Sequence, residues 1–158
     1  MELTILYDNT TAAGGFEAGW GFSCLSGRNV LFDTGEEFSS LKDNSVKMNV
    51  DISGIESVIL SHNHWDHTGG LEGLLRELDS GINVYGCSDA ASSLKRMIDR
   101  YGSHFIEADG LREVSSGIYS TGQIEGDYKN SSMLEQSLVV RAGEGLAVVT
   151  GCSHPGIV

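Results

Sequence analysis

The feature that most limits what this chain can become is the stretch HNHWDHTGG at 62–70, set between the apolar run SVIL (57–60) and LEGLLRELD (71–79). Three imidazoles and a carboxylate, His62, His64, Asp66 and His67, fall within six positions. SVIL reads as a buried strand, and LEGLLRELD, apolar at 71, 74, 75 and 78, reads as an amphipathic helix with glycines at its entrance. The cluster therefore occupies a strand-to-helix junction. Residues two apart in extended chain project to the same side, so His62 and His64 can share one metal ion. Asp66 and His67 lie where the backbone bends, which lets them face a second ion beside the first. Imidazole and carboxylate are donors that zinc accepts readily. An exposed histidine-rich loop, or core histidines satisfied by backbone groups, explains this spacing far less well.

Two histidines do not complete a zinc site, so a third ligand must come from elsewhere. LAVVTGCSHPG (146–156) supplies His154, which follows a strand in a Gly-rich turn held by Pro155. His62, His64 and His154 with an open fourth position form the donor set of a catalytic zinc site. His104, without ligand-type neighbours, is read as structural or exposed. Cys152, two residues before His154, is read as a small buried apolar residue at a strand end, with a ligand role as the lesser alternative. Trp65 either lines a substrate pocket or packs beside the site.

Seven short apolar runs read as strands: 3–7, 21–25, 29–33, 57–60, 82–86, 137–141 and 146–150. Helical patterning covers 36–48, 71–79 and 89–101, whereas 102–133 is weakly patterned, with GIYSTG (117–122) as one further strand candidate. Hairpin-like links come first and helical links later, which predicts a mixed sheet covered by helices, an α/β fold. At 158 residues and 40% apolar content, one domain over 1–158 is expected. The net charge of −12 disfavours nucleic acid and favours metal cations. No run approaches membrane-spanning length, and the N-terminal residues lack the pattern of an export signal. Three widely spaced cysteines, Cys24, Cys87 and Cys152, fit reduced thiols in a cytoplasm.

SHNHWDHTGG resembles the H-x-H-x-D-H signature of the metallo-β-lactamase fold, LFDTG (31–35) resembles the strand and turn that precede it, and VVTGCSHPGIV resembles its third-histidine motif. Together with LTILYDNT, GWGFSCL and EQSLVV, these look like one branch of that superfamily. Its archaeal members are described as dihydropterin-methyl-ribofuranosylaminobenzene phosphate synthases, and its bacterial members mostly as metal-dependent hydrolases. The resemblance implies an αββα sandwich, a first metal on His62, His64 and His154, and a second on Asp66 and His67. It makes Asp33 either a carboxylate that supports the site or a simple turn-former, and sets Asp8 and Asn9 at a pocket rim. Members of the branch continue past the CSHPG motif with strands and helices that carry a bridging aspartate and a last histidine. With Val158 as its final residue, the chain is expected to be incomplete at its C-terminal end, to hold one zinc well and the second poorly, and to leave a sheet edge open to another copy.

The expected chemistry is zinc-activated water attacking a small-molecule substrate, with Asp66 orienting that water or taking its proton. A metal-assisted condensation on a phosphorylated pterin precursor is the form implied by the archaeal branch. Two rivals stand beside it: a metal-binding remnant without turnover, and a non-haem di-iron redox centre. Iron or manganese is the alternative to zinc. Relatives with the di-iron centre resemble H-x-E-x-D at the motif, whereas position 64 here is histidine.

Overall fold

The computed structural model describes residues 1–157. Its larger sheet has six strands in sequence order: β1 (Leu3–Tyr7), β2 (Ser23–Ser26), β3 (Val30–Phe32), β4 (Ser57–Ile59), β5 (Asn83–Gly86) and β6 (His104–Glu107). The first three pair antiparallel, and β3 through β6 pair parallel. Parallel neighbours need crossovers, and helices provide them. α1 (Phe38–Lys47) joins β3 to β4, α2 (Trp65–Thr68) and α3 (Leu71–Leu78) join β4 to β5, and α4 (Ser92–Arg100) joins β5 to β6.

Alternation along the central strands sorts their side chains into two cores. Leu31, Val58 and Val84 face the helices and pack with Leu41, Leu71, Leu74, Leu75 and Ile98. Val30, Phe32, Ile59 and Tyr85 point the other way, onto Ile118, Leu138 and Val140 of a second sheet. Burial on both faces is why these strands read as unbroken apolar runs. The second sheet contains β7 (Arg112–Ser115), β8 (Ile118–Ser120), β11 (Leu138–Ala142) and β12 (Gly145–Val149), all antiparallel in the order β12-β11-β8-β7. Between β8 and β11 the chain leaves the sheet as a ribbon of β9 (Ile124–Tyr128) and β10 (Ser131–Glu135). The layers are therefore helix, sheet, sheet. Among the described residues no helix covers the outer face of the second sheet, where Leu146 and Val148 of the edge strand β12 stand exposed.

Twelve strands replace the seven expected. GIYSTG does form β8, and GFSCL starts two residues late, at Ser23. The strands missed, β6, β7, β9 and β10, are largely polar or only half-buried, so neither face produces a periodic apolar signal. No described helix is long and apolar enough to cross a membrane.

The two sheets are tied together at one end. Buried Gln136 donates from Nε2 to the carbonyls of Leu60 (2.8 Å) and Tyr85 (3.2 Å), and from its backbone N–H to Ser61 (2.8 Å). That tie lies directly before His62. Phe32 is fully buried between the sheets. Phe32→Ala is expected to cost about 3–5 kcal/mol of unfolding free energy, measured by urea denaturation, through the cavity it leaves.

Candidate metal centre

β3 and β4 end side by side, and Asp33 N–H extends their ladder to the carbonyl of Ile59 at 2.9 Å. Asp33 then turns with φ 56°, a left-handed conformation that aspartate tolerates better than most residues. Its carboxylate has no solvent exposure and accepts from Ser61 N–H (Oδ1, 2.6 Å), Ser61 Oγ (Oδ2, 2.7 Å) and His67 Nδ1 (Oδ2, 2.7 Å). These contacts set ring tautomers. Ser61 spends its one hydroxyl proton on Asp33, so at 2.8 Å it can only accept from His62 Nδ1–H, which leaves His62 Nε2 as a bare lone pair. His67 likewise donates Nδ1–H to Asp33, which turns its Nε2 towards Cys152. One buried carboxylate thus prepares two imidazoles as ligands.

His62 Nε2 and His64 Nδ1 lie 2.9 Å apart. Two lone pairs at that distance repel unless a proton or a cation sits between them. The His154 ring stands 5.0 Å from the His62 ring and 5.3 Å from the His64 ring, centre to centre. Its Nε2 is buried without a hydrogen-bond partner. One donor atom from each of His62, His64, Cys152 and His154 fits within a 4.8 Å span. An orphaned, buried ring nitrogen among these donors is what a ligand set looks like, and the residues fit a divalent ion such as zinc. Asp66 and His67 also come together, with Asp66 Oδ2 3.8 Å from His67 Nε2.

The protonation preferences of His62 and His64 agree with this. Burial, followed by the charges of His67, His64 and His154, holds the His62 ring down at about 2, so it stays neutral and able to bind a cation. Burial and His154 push His64 down too. Burial drives the Asp33 carboxyl up and the His67 ring down. Their 2.7 Å contact opposes both tendencies and, with the Cys152 contact, prevails on the imidazole, carrying it up to about 10, so a cation at His67 Nε2 has to displace a proton.

His154 reaches the site because other elements hold its turn. Glu135, 2% exposed, accepts from the N–H groups of Ser153 (2.9 Å) and His154 (2.8 Å). Gly126 lets β9 press on the same turn, since a Cβ there would lie 2.5 Å from His154 C and Pro155 N. The Tyr128 ring roofs the site, 4.6 Å from His64 and 5.0 Å from His154.

His104 is exposed on β6, away from this cluster. Trp65 is also exposed, which excludes a role in the core. Asp33 supports the site as well as turning the chain. The reading of Cys152 as a small buried residue fails: it is exposed, and its Sγ is 3.4 Å from His67 Nε2. Asn9 takes the N–H of Gly21 at 3.0 Å, and Gly21 abuts the Asp66 backbone, so Asn9 buttresses the site from behind. Ser61, Tyr128 and Glu135 were not anticipated. Ser61 could have been noticed as a hydroxyl beside a ligand; the other two lie in or next to the weakly patterned ribbon.

Comparison with known proteins places the fold in a family. The family described as Beta-lactamase superfamily domain matches residues 28–116. A relative from Methanocaldococcus jannaschii named 7,8-dihydropterin-6-methyl-4-(beta-D-ribofuranosyl)-aminobenzene-5'-phosphate synthase is 29% identical over 169 residues, covering 83% of this chain and 58% of its own length. The metallo-beta-lactamase fold protein YhfI from Bacillus subtilis superposes with TM-score 0.64 at 20% identity, over 94% of this chain and 60% of that one. The short form of human tRNase Z superposes with TM-score 0.65 at 18% identity, over 100% and 71% respectively.

Asp33→Asn is expected to weaken metal binding about 10- to 100-fold in chelator competition, because an amide N–H₂ facing His67 Nδ1 forces the proton onto Nε2. Gly126→Ala should also lower metal affinity, by displacing the His154 turn, with folding unchanged by circular dichroism; unaltered affinity would show that the ribbon does not position His154. With residues 28–116 matched by the family and the whole sheet framework superposing on its solved members, the chain belongs to the beta-lactamase superfamily and has the metallo-β-lactamase fold.

Proposed function

We propose that the chain is the metal-binding part of a hydrolase-like enzyme that acts on a small molecule, with His62, His64 and His154 holding one zinc ion. The observation that carries this is the partnerless, buried His154 Nε2 facing the paired nitrogens of His62 and His64. Zinc, when bound there, would acidify water towards neutrality and polarise a carbonyl or phosphoryl oxygen, making the attached carbon or phosphorus more electrophilic. Asp66, partly exposed beside His67, orients the attacking water or takes its proton. Tyr128 roofs His64 and His154 and restricts solvent on that side.

The chain spans 58% of the length of its archaeal relative, so the whole protein's substrate is inferred at the level of class. A phosphorylated pterin precursor, as in that relative's name, is the finer reading. Nucleic acid is the weaker one: likeness to tRNase Z at 18% identity speaks to fold, and a net charge of −12 repels a polyanion.

His64→Ala should lose bound zinc by elemental analysis and, with it, any chelator-sensitive hydrolysis of esters or phosphodiesters. A variant that keeps its full zinc content would overturn the assignment. Protein purified without added metal that contains iron and absorbs visible light would point to redox chemistry instead.

A further inference from the structure

Resting on that first site, we propose that Cys152 is also a metal ligand, its thiolate joining Asp66 and His67 to hold a second divalent cation. The proposal starts at His67, whose ring is 3% exposed and whose Nδ1 is committed to Asp33. Nε2 is left as its only free donor, and it points at Cys152 Sγ, 3.4 Å away. An imidazole nitrogen and a thiolate bound to one tetrahedral ion at about 2.0 and 2.3 Å lie about 3.5 Å from one another. The observed 3.4 Å, a hydrogen-bond distance between thiol and ring nitrogen, also suits two ligands on one ion. Asp66 Oδ2 approaches the same Nε2 to 3.8 Å, so a carboxylate and a thiol both lie within reach of the His67 ring nitrogen.

Cys152 therefore replaces what the second site was expected to lack. Its Sγ also comes within 4.8 Å of donor atoms on His62, His64 and His154, which puts the thiol between the two groups. The three histidines keep an open fourth position, and the sulfur fills the vacancy beside Asp66 and His67. Soft sulfur with imidazole and one carboxylate selects zinc or cobalt(II) over magnesium or calcium. Ligation converts the thiol to thiolate, and its proton leaves to solvent as the cation binds.

The other two cysteines cannot substitute. Both are buried, and burial pushes Cys24 up to about 11 and Cys87 up to about 12, so neither reacts readily in the folded protein. Cys152 is the exposed thiol. This contrast makes a direct test possible.

Metal-free protein should show one fast-reacting thiol with Ellman's reagent. Cobalt(II) titration should bind two equivalents, and the second should bring in a sulfur-to-cobalt absorption band in the near ultraviolet while thiol reactivity is lost. Cys152→Ser, checked for folding by circular dichroism, should bind a single equivalent and show no such band. Two equivalents bound with the thiol still reactive would overturn the proposal, as would a band complete at one equivalent, which would put sulfur on the first ion. One equivalent without a band sinks the second site alone. No cobalt bound at all would sink the first site with it.

Discussion

The site depends on burying one charge. Asp33 is fully shielded from water, a costly position for a carboxylate unless its oxygens are satisfied, and three donors from Ser61 and His67 satisfy them. Each of those donors is itself attached to the site. Ser61 passes the constraint to His62, and His67 takes it directly. The energy that offsets desolvation is thus the same energy that orients the rings. Remove the charge and the imidazoles lose both their tautomer and their direction.

The central half of the architecture was readable because it is dry. β3, β4 and β5 are buried on both faces, and α3 keeps its apolar stripe, so each carried a strong pattern. The ribbon of β9 and β10 was not readable: Ile124 stands among polar neighbours, Met133 and Leu134 are adjacent and so show no alternation, and the two strands pair only with one another. Partnership of that kind lies in three dimensions and leaves little trace in a window of chain.

The site divides the same way. Among the proposed ligands, His62, His64, Asp66 and His67 stand out from spacing alone, and His154 from its place after a strand. Asp33 was ambiguous, because an aspartate after a strand turns chains far more often than it supports a ligand. Cys152 was misread for a related reason: burial is the usual fate of cysteine, and only the fold brings its sulfur to a histidine 85 residues away. Glu135 had no local signal. Its task is to hold two backbone N–H groups of a turn that arrives from the far side of the second sheet.

The proposed ligands come in two instalments, 62–67 at the end of the first sheet and 152–154 following β12 of the second. A cation gripped by both is a cross-link between the layers, present only in the folded chain. Occupancy and stability are then one thermodynamic quantity: at 100 times its dissociation constant, a ligand that ignores the unfolded chain stabilises by about 2.7 kcal/mol. Metal supply would then govern how long the layers remain joined, as well as whether chemistry occurs between them.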